Sequence, residues 1–97
     1  MTWALYAEFT ALPGAEERVA ELVCELTARV RAEPGNVLFE PRTERDDPRR
    51  WFVYEVYRDE DAFREHLAAD YGAAFNARLA TLVEGAGSRL TFLADAA

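Results

Sequence analysis

The stretch RWFVYEVYR, residues 50–58, constrains this chain more than any other. Trp51 and Val53 alternate with Phe52, Tyr54 and Val56, so an extended backbone here is apolar on both faces. Period-two alternation of aromatic and β-branched residues predicts a strand. A sheet containing it must be covered twice, because a bare aromatic face is seldom left in water. At 97 residues the chain fills one compact domain whose own helices can cover one face, and a second copy is the cheapest cover for the other. The expectation is a single domain over residues 1–97 that forms a homodimer packed sheet against sheet.

The rest of the chain supplies the matching elements. Trp3 to Thr10 alternate in two sets, a first strand, ended by LPG at 12–14. Residues 15–33 carry Val19, Leu22, Val23, Leu26 and Val30, which keep one helical stripe apolar. Glu16 and Glu17 sit where the helix dipole favours anions, and EPG at 33–35 stops the helix. A second strand covers Asn36 to Glu44, RDDPR holds a turn, and the third strand runs from Arg50 to Arg58. Asp59 is a natural N-cap for a second helix, which Gly72 bends or interrupts before Tyr71, Phe75, Leu79 and Leu82 continue its stripe. EGAG at 84–87 ends it, and Ser88 to Ala94 form a last strand. The order β-α-β-β-α-β predicts an α+β, ferredoxin-like fold: a four-stranded antiparallel sheet with two helices on one face.

Charge removes whole classes of partner. The 11 basic residues are all arginine, and 18 acidic residues bring the net charge to −7, which excludes a phosphate-neutralising surface for nucleic acid and disfavours anionic membranes. Arg42, Arg45, Arg49 and Arg50 cluster, but Glu44, Asp46 and Asp47 are interleaved, the pattern of a solvated hairpin tip. No run approaches the roughly 20 apolar residues that span a bilayer. Cys24 is alone, so no intrachain disulfide forms, and the opening MTWALYAEF has no basic n-region; cytoplasmic residence is expected.

Two residues carry candidate chemistry. Glu55 shares a strand face with Trp51, Val53 and Tyr57, with Tyr57 roughly 7 Å along it. A carboxylate among apolar neighbours needs a partner, and Arg78, Arg89 or a subunit contact can each serve. His66, the only histidine, falls at the edge of the inward stripe of the second helix and can reach the sheet. A Glu55–His66 hydrogen bond would fix the imidazole tautomer and raise its basicity, as a general base requires; Asp70 competes as a partner, and a purely structural histidine is the plain alternative. One His and one Cys cannot build a zinc or non-haem iron site of the usual stoichiometry, so no metal is implied. Phosphate-loop, dinucleotide, serine-hydrolase and Cys-x-x-Cys motifs are lacking, and most aromatics read as core or interface.

AEPGNVLFE at 32–40, DDPRRWFVYEVYRDEDAFREHL at 46–67 and AAFNARL at 73–79 together resemble the antibiotic biosynthesis monooxygenase family. The resemblance covers nearly the whole chain and centres on Glu55, Tyr57, the acidic helix start Asp59 to Asp61, and His66. It implies a dimeric α+β barrel with a pocket between each sheet and its own helices. Some members oxygenate quinols or anthrones without metal or flavin. By that resemblance His66 is the base, Glu55 its orienter, and Tyr57, Trp51, Tyr71 and Phe75 bind a small aromatic substrate beside molecular oxygen, with no cofactor. The chain departs from the family in having Tyr57 where many members have Trp and Tyr71 where a second histidine is frequent. Haem-degrading relatives use an asparagine on the first strand, where this chain has Ala7, so haem degradation is disfavoured. A proton-transfer isomerase of a small carbonyl compound and a non-catalytic ligand-binding dimer module remain alternatives.

Overall fold

Alternation along β1 (Trp3–Thr10) turns Leu5, Ala7 and Phe9 to one side, and all three are buried. In the computed structural model, which describes residues 1–85 and 87–97, β1 is an inner strand of a four-stranded sheet. The other strands are β2 (Asn36–Glu44), β3 (Asp47–Tyr57) and β4 (Arg89–Leu93), in the order β2-β3-β1-β4. Every pairing is antiparallel. Leu5 faces Glu55 and Ala7 faces Val53, so the central pair aligns its buried residues. This is the ferredoxin-like α+β fold. The β2–β3 hairpin closes more tightly than the proline in RDDPR implies: Glu44 pairs with Asp47, and β3 starts three residues before Arg50. The arginines around this tip meet acids, Arg50 with Glu44 and Asp47, Arg49 with Asp47 and Glu84, all within 3.5–3.8 Å.

Helix α1 (Glu16–Arg31) buries Val19, Leu22, Val23 and Val30. Thr27 joins that stripe because its hydroxyl donates to the Val23 carbonyl at 2.6 Å, which satisfies the polar atom inside the helix. Asp59 caps α2 (Glu60–Leu67), its carboxylate accepting the Ala62 N–H at 2.8 Å. The second crossover is two helices: α3 (Asp70–Leu79) restarts after Ala69 takes an extended backbone. The interruption thus falls at Ala68–Ala69, and Gly72 lies within α3. Alanine is the best of helix formers and announces no break, which is why the glycine is the better candidate from sequence alone.

Two apolar clusters form under the helices, one around Phe9, Val23, Phe39 and Val53, the other around Leu5, Tyr57, Ala62 and Phe63. Gly35 permits the second: a Cβ there would overlap the Ala62 side chain, so only glycine lets β2 approach α2 this closely. On the opposite face Tyr6 and Phe52 stack with centroids 4.7 Å apart, and Phe52 and Leu93 remain exposed.

Candidate active site

The alternation that buries Val53 also turns Glu55 and Tyr57 under the helices. Glu55 is 6% exposed, and the phenol of Tyr57 donates to its Oε1 at 2.7 Å. Burial pushes the Glu55 carboxyl above the usual carboxylate range; the Tyr57 hydrogen bond and the nearby imidazole pull it back, and the Glu33 carboxylate adds to the rise. Burial and the charge of Glu55 hold the Tyr57 phenol far above its ordinary value, so it stays a neutral donor.

Helix α2 brings His66 over this pair. Its ring lies 5.0 Å from that of Tyr57 and 6.0 Å from that of Phe63, centroid to centroid. Nε2 faces Glu55 Oε1 at 3.9 Å, too far for a hydrogen bond. The hydrogen bond is made on the other side of the ring, where Nδ1 lies 3.0 and 3.1 Å from the two carboxylate oxygens of Glu33. The Tyr71 hydroxyl donates to Glu33 Oε2 as well. Its phenol is pushed up to about 12, first by burial and then by Glu33, while the guanidinium of Arg29 lies 5.5 Å from the ring centre. The site is therefore a histidine between two carboxylates, with a tyrosine hydroxyl on each.

Glu55 and His66 line a cavity of about 290 Å³ between sheet and helices. Its other walls are mainly apolar, among them Phe39, Val53, Phe63 and Phe75, with Asn76 and Ser88 adding neutral polar groups. No arginine lies among the described residues that line it. A larger hollow of about 740 Å³ lies between α1 and α3, but it is an open groove with charges of both signs, Arg29 and Arg78 beside Glu25 and Asp70.

Of the six residues singled out in the sequence, Glu55, His66 and Phe75 meet at the cavity. Tyr57 is fully buried and meets the site through Glu55, and Trp51, half-buried, stacks on Phe9 at 5.9 Å against the core. Tyr71 sits on the outer groove and reaches the site only through Glu33. Of the arginines considered for Glu55, Arg89 meets Glu8 at 3.7 Å and Arg78 lines the outer groove; the donor to Glu55 is Tyr57. Asp70, at the start of α3, is exposed, and His66 bonds Glu33 instead. Glu33 is the residue that sequence reasoning missed. A signal was present: it is an acid just past the C-terminal end of α1, where the helix dipole disfavours a negative charge unless donors meet it.

The model of the family described as antibiotic biosynthesis monooxygenase matches residues 3–84. No curated protein matches. Among solved structures, SO0527 from Shewanella oneidensis is 28% identical, with a TM-score of 0.82 over 95% of this chain and 90% of its own. PA3566 from Pseudomonas aeruginosa is 25% identical, with a TM-score of 0.89 over 99% and 95%. SnoaB from Streptomyces nogalater, a cofactor-independent oxygenase, shares the fold at 23% identity, with a TM-score of 0.85 over 99% and 94%.

Proposed function

The chain belongs to the antibiotic biosynthesis monooxygenase family, and from that premise we propose that it is a cofactor-independent monooxygenase of a small, uncharged, electron-rich aromatic such as a quinol or anthrone. One observation carries this reading: an imidazole nitrogen and a carboxyl face each other across the wall of a mainly apolar cavity. Deprotonating a phenol or anthrone is what such a pair can do, and the resulting carbanion or phenolate is itself electron-rich enough to reduce oxygen. His66 Nε2 takes the proton and the substrate anion passes one electron to oxygen. The two radicals combine into a peroxide, whose O–O bond breaks to leave a carbonyl and water as the proton returns. For an anthrone, a methylene and one O₂ become a ketone and one H₂O, so atoms and electrons balance without a further reductant. The protein's share is a base, orientation and exclusion of bulk water.

The cavity wall also weighs against the alternatives. An isomerase acting on an anionic carbonyl compound needs a cation beside the substrate, and two glutamates flank His66 instead. A bare dimerisation module would fill the space with side chains, and about 290 Å³ is left open; a ligand-binding module without catalysis differs from the proposed enzyme in predicting no oxygen uptake. A homodimer is part of the proposal: the stacked Tyr6 and Phe52 on the uncovered sheet face suit a second copy of the same face. The free thiol of Cys24 suits the reducing cytoplasm.

Oxygen consumption tests the reading, with hydroquinones, naphthoquinols and anthrones measured against their spontaneous oxidation and against His66→Ala. Uptake well above the blank that falls by roughly 10²–10⁴-fold in the variant is expected for loss of a general base. Uptake equal to the blank across the panel, or an unchanged rate in His66→Ala, overturns it.

A further inference from the structure

A neutral imidazole carries one N–H, and only its bare nitrogen can take a proton from a substrate. Which nitrogen is bare depends on what the ring touches. On its Nε2 side the titratable groups are Glu55 and, behind it, Tyr57, both from β3. On its Nδ1 side stands Glu33, from the connection between α1 and β2, with Tyr71 of α3 donating to it and Arg29 of α1 over the tyrosine ring. The one cation of its own helix, Arg64, is paired with Glu60 at 3.0 Å.

Among the described residues, only the Nδ1 contacts are within hydrogen-bond distance, and both are to carboxylate oxygens. A carboxylate accepts and cannot donate, so Nδ1 must carry the proton. We infer that Glu33 is the positioning residue of this site: held by the Tyr71 hydroxyl, its carboxylate takes the Nδ1–H of His66 and thereby leaves Nε2 bare toward the cavity. The inference rests on reading His66 as the base, and it deepens that reading by assigning the orienting role to Glu33 instead of Glu55. Both oxygens of Glu33 sit at nearly the same distance from Nδ1, which centres the acceptor on the ring. Tyr71 fixes Oε2 from a different helix, so the carboxylate cannot swing away with the loop that bears it. The same charge then stabilises the imidazolium formed when Nε2 is protonated. Glu55, 3.9 Å from Nε2 and tied to Tyr57, is left free to face the substrate.

Because His66 is the only histidine, ¹⁵N labelling of histidine gives ring signals that belong to it alone. At alkaline pH the parent protein should show a protonated Nδ1 and a bare Nε2. Glu33→Ala should populate the Nε2–H form, while Glu33→Gln should retain Nδ1–H, since its carboxamide oxygen still accepts. With a substrate that the parent oxidises, Glu33→Ala should lower kcat by roughly 10–100-fold and leave KM within about threefold, with Glu33→Gln in between. A parent spectrum with protonated Nε2 overturns the inference without any variant. So does a tautomer unchanged in folded Glu33→Ala. The spectra need no substrate, so failure of the monooxygenase reading and failure of the Glu33 assignment are separable.

Discussion

Replacing Glu55 by glutamine should stabilise the protein at neutral and alkaline pH and not in acid. The buried carboxylate has one hydrogen-bond donor, the Tyr57 hydroxyl at 2.7 Å, and His66 Nε2 is 3.9 Å away. One hydrogen bond to an ionised oxygen, worth about 1.5–3 kcal/mol, offsets only part of the several kcal/mol that desolvating an ion costs. Burial accordingly holds the folded-state carboxyl protonated to a higher pH than the unfolded chain does. Between those two pH values the folded state binds the extra proton, so stability falls as pH rises. Below the ordinary carboxylate range both states are protonated and the penalty vanishes; above the raised folded value it is complete. A glutamine side chain at this position cannot ionise, its oxygen still accepts from Tyr57, and its amide can face the cavity. Urea and thermal unfolding of parent and Glu55→Gln should therefore coincide at about pH 4 and separate at about pH 8 by roughly 1–3 kcal/mol in favour of the variant. For a domain of this length each kcal/mol is about 4–8 °C in Tm. Comparing the two proteins at each pH cancels the other carboxylates they share. A variant that becomes less stable than the parent as pH rises would mean that the charge of Glu55 is paired and favourable, a gap that does not change with pH would mean that folding leaves its ionisation alone, and either result would refute the reasoning.

Gly35→Ala should destabilise the fold by about 1–3 kcal/mol in urea unfolding, because the new methyl group overlaps Ala62 and pushes α2 from β2; since α2 carries His66, activity should fall with it, and a neutral effect would show that the approach can relax. On the opposite face, Phe52→Glu should convert a dimer to a monomer in size exclusion with light scattering, because it removes the ring that stacks on Tyr6 and sets a like charge on that face of both copies. An unaltered dimer would locate the interface elsewhere.

The fold was legible because each element repeats a local rule, and the site was legible only where such a rule touches it. Alternation along β3 puts Glu55 and Tyr57 on one face with Val53 without any knowledge of neighbouring strands, and the stripe of α2 puts His66 at the edge facing the sheet; since β3 is apolar on both faces, which of them lies under the helices is seen only in the structure. Periodicity says which way a side chain points and nothing about how far along the element it sits from a partner. Trp51 obeys the same alternation as Glu55, yet it stacks half-buried on Phe9 and does not line the cavity, because the cavity occupies only part of the sheet. Tyr71 draws notice in the sequence for its aromatic ring, and its hydroxyl is what connects it to the site. The break at Ala68–Ala69 decides this: a continuous helix would have carried the phase of α2 onward, whereas the restart at Asp70 sets the direction of Tyr71 anew. Glu33 lies 33 residues before His66, in a turn that follows no period, so no repeat could link them. What the sequence does offer there is a local conflict, an acid past the negative end of α1. A charge placed against its own helix needs donors from another part of the chain. In this fold those donors are the imidazole and the Tyr71 hydroxyl, and the conflict marks the place where the helices are joined to the chemistry.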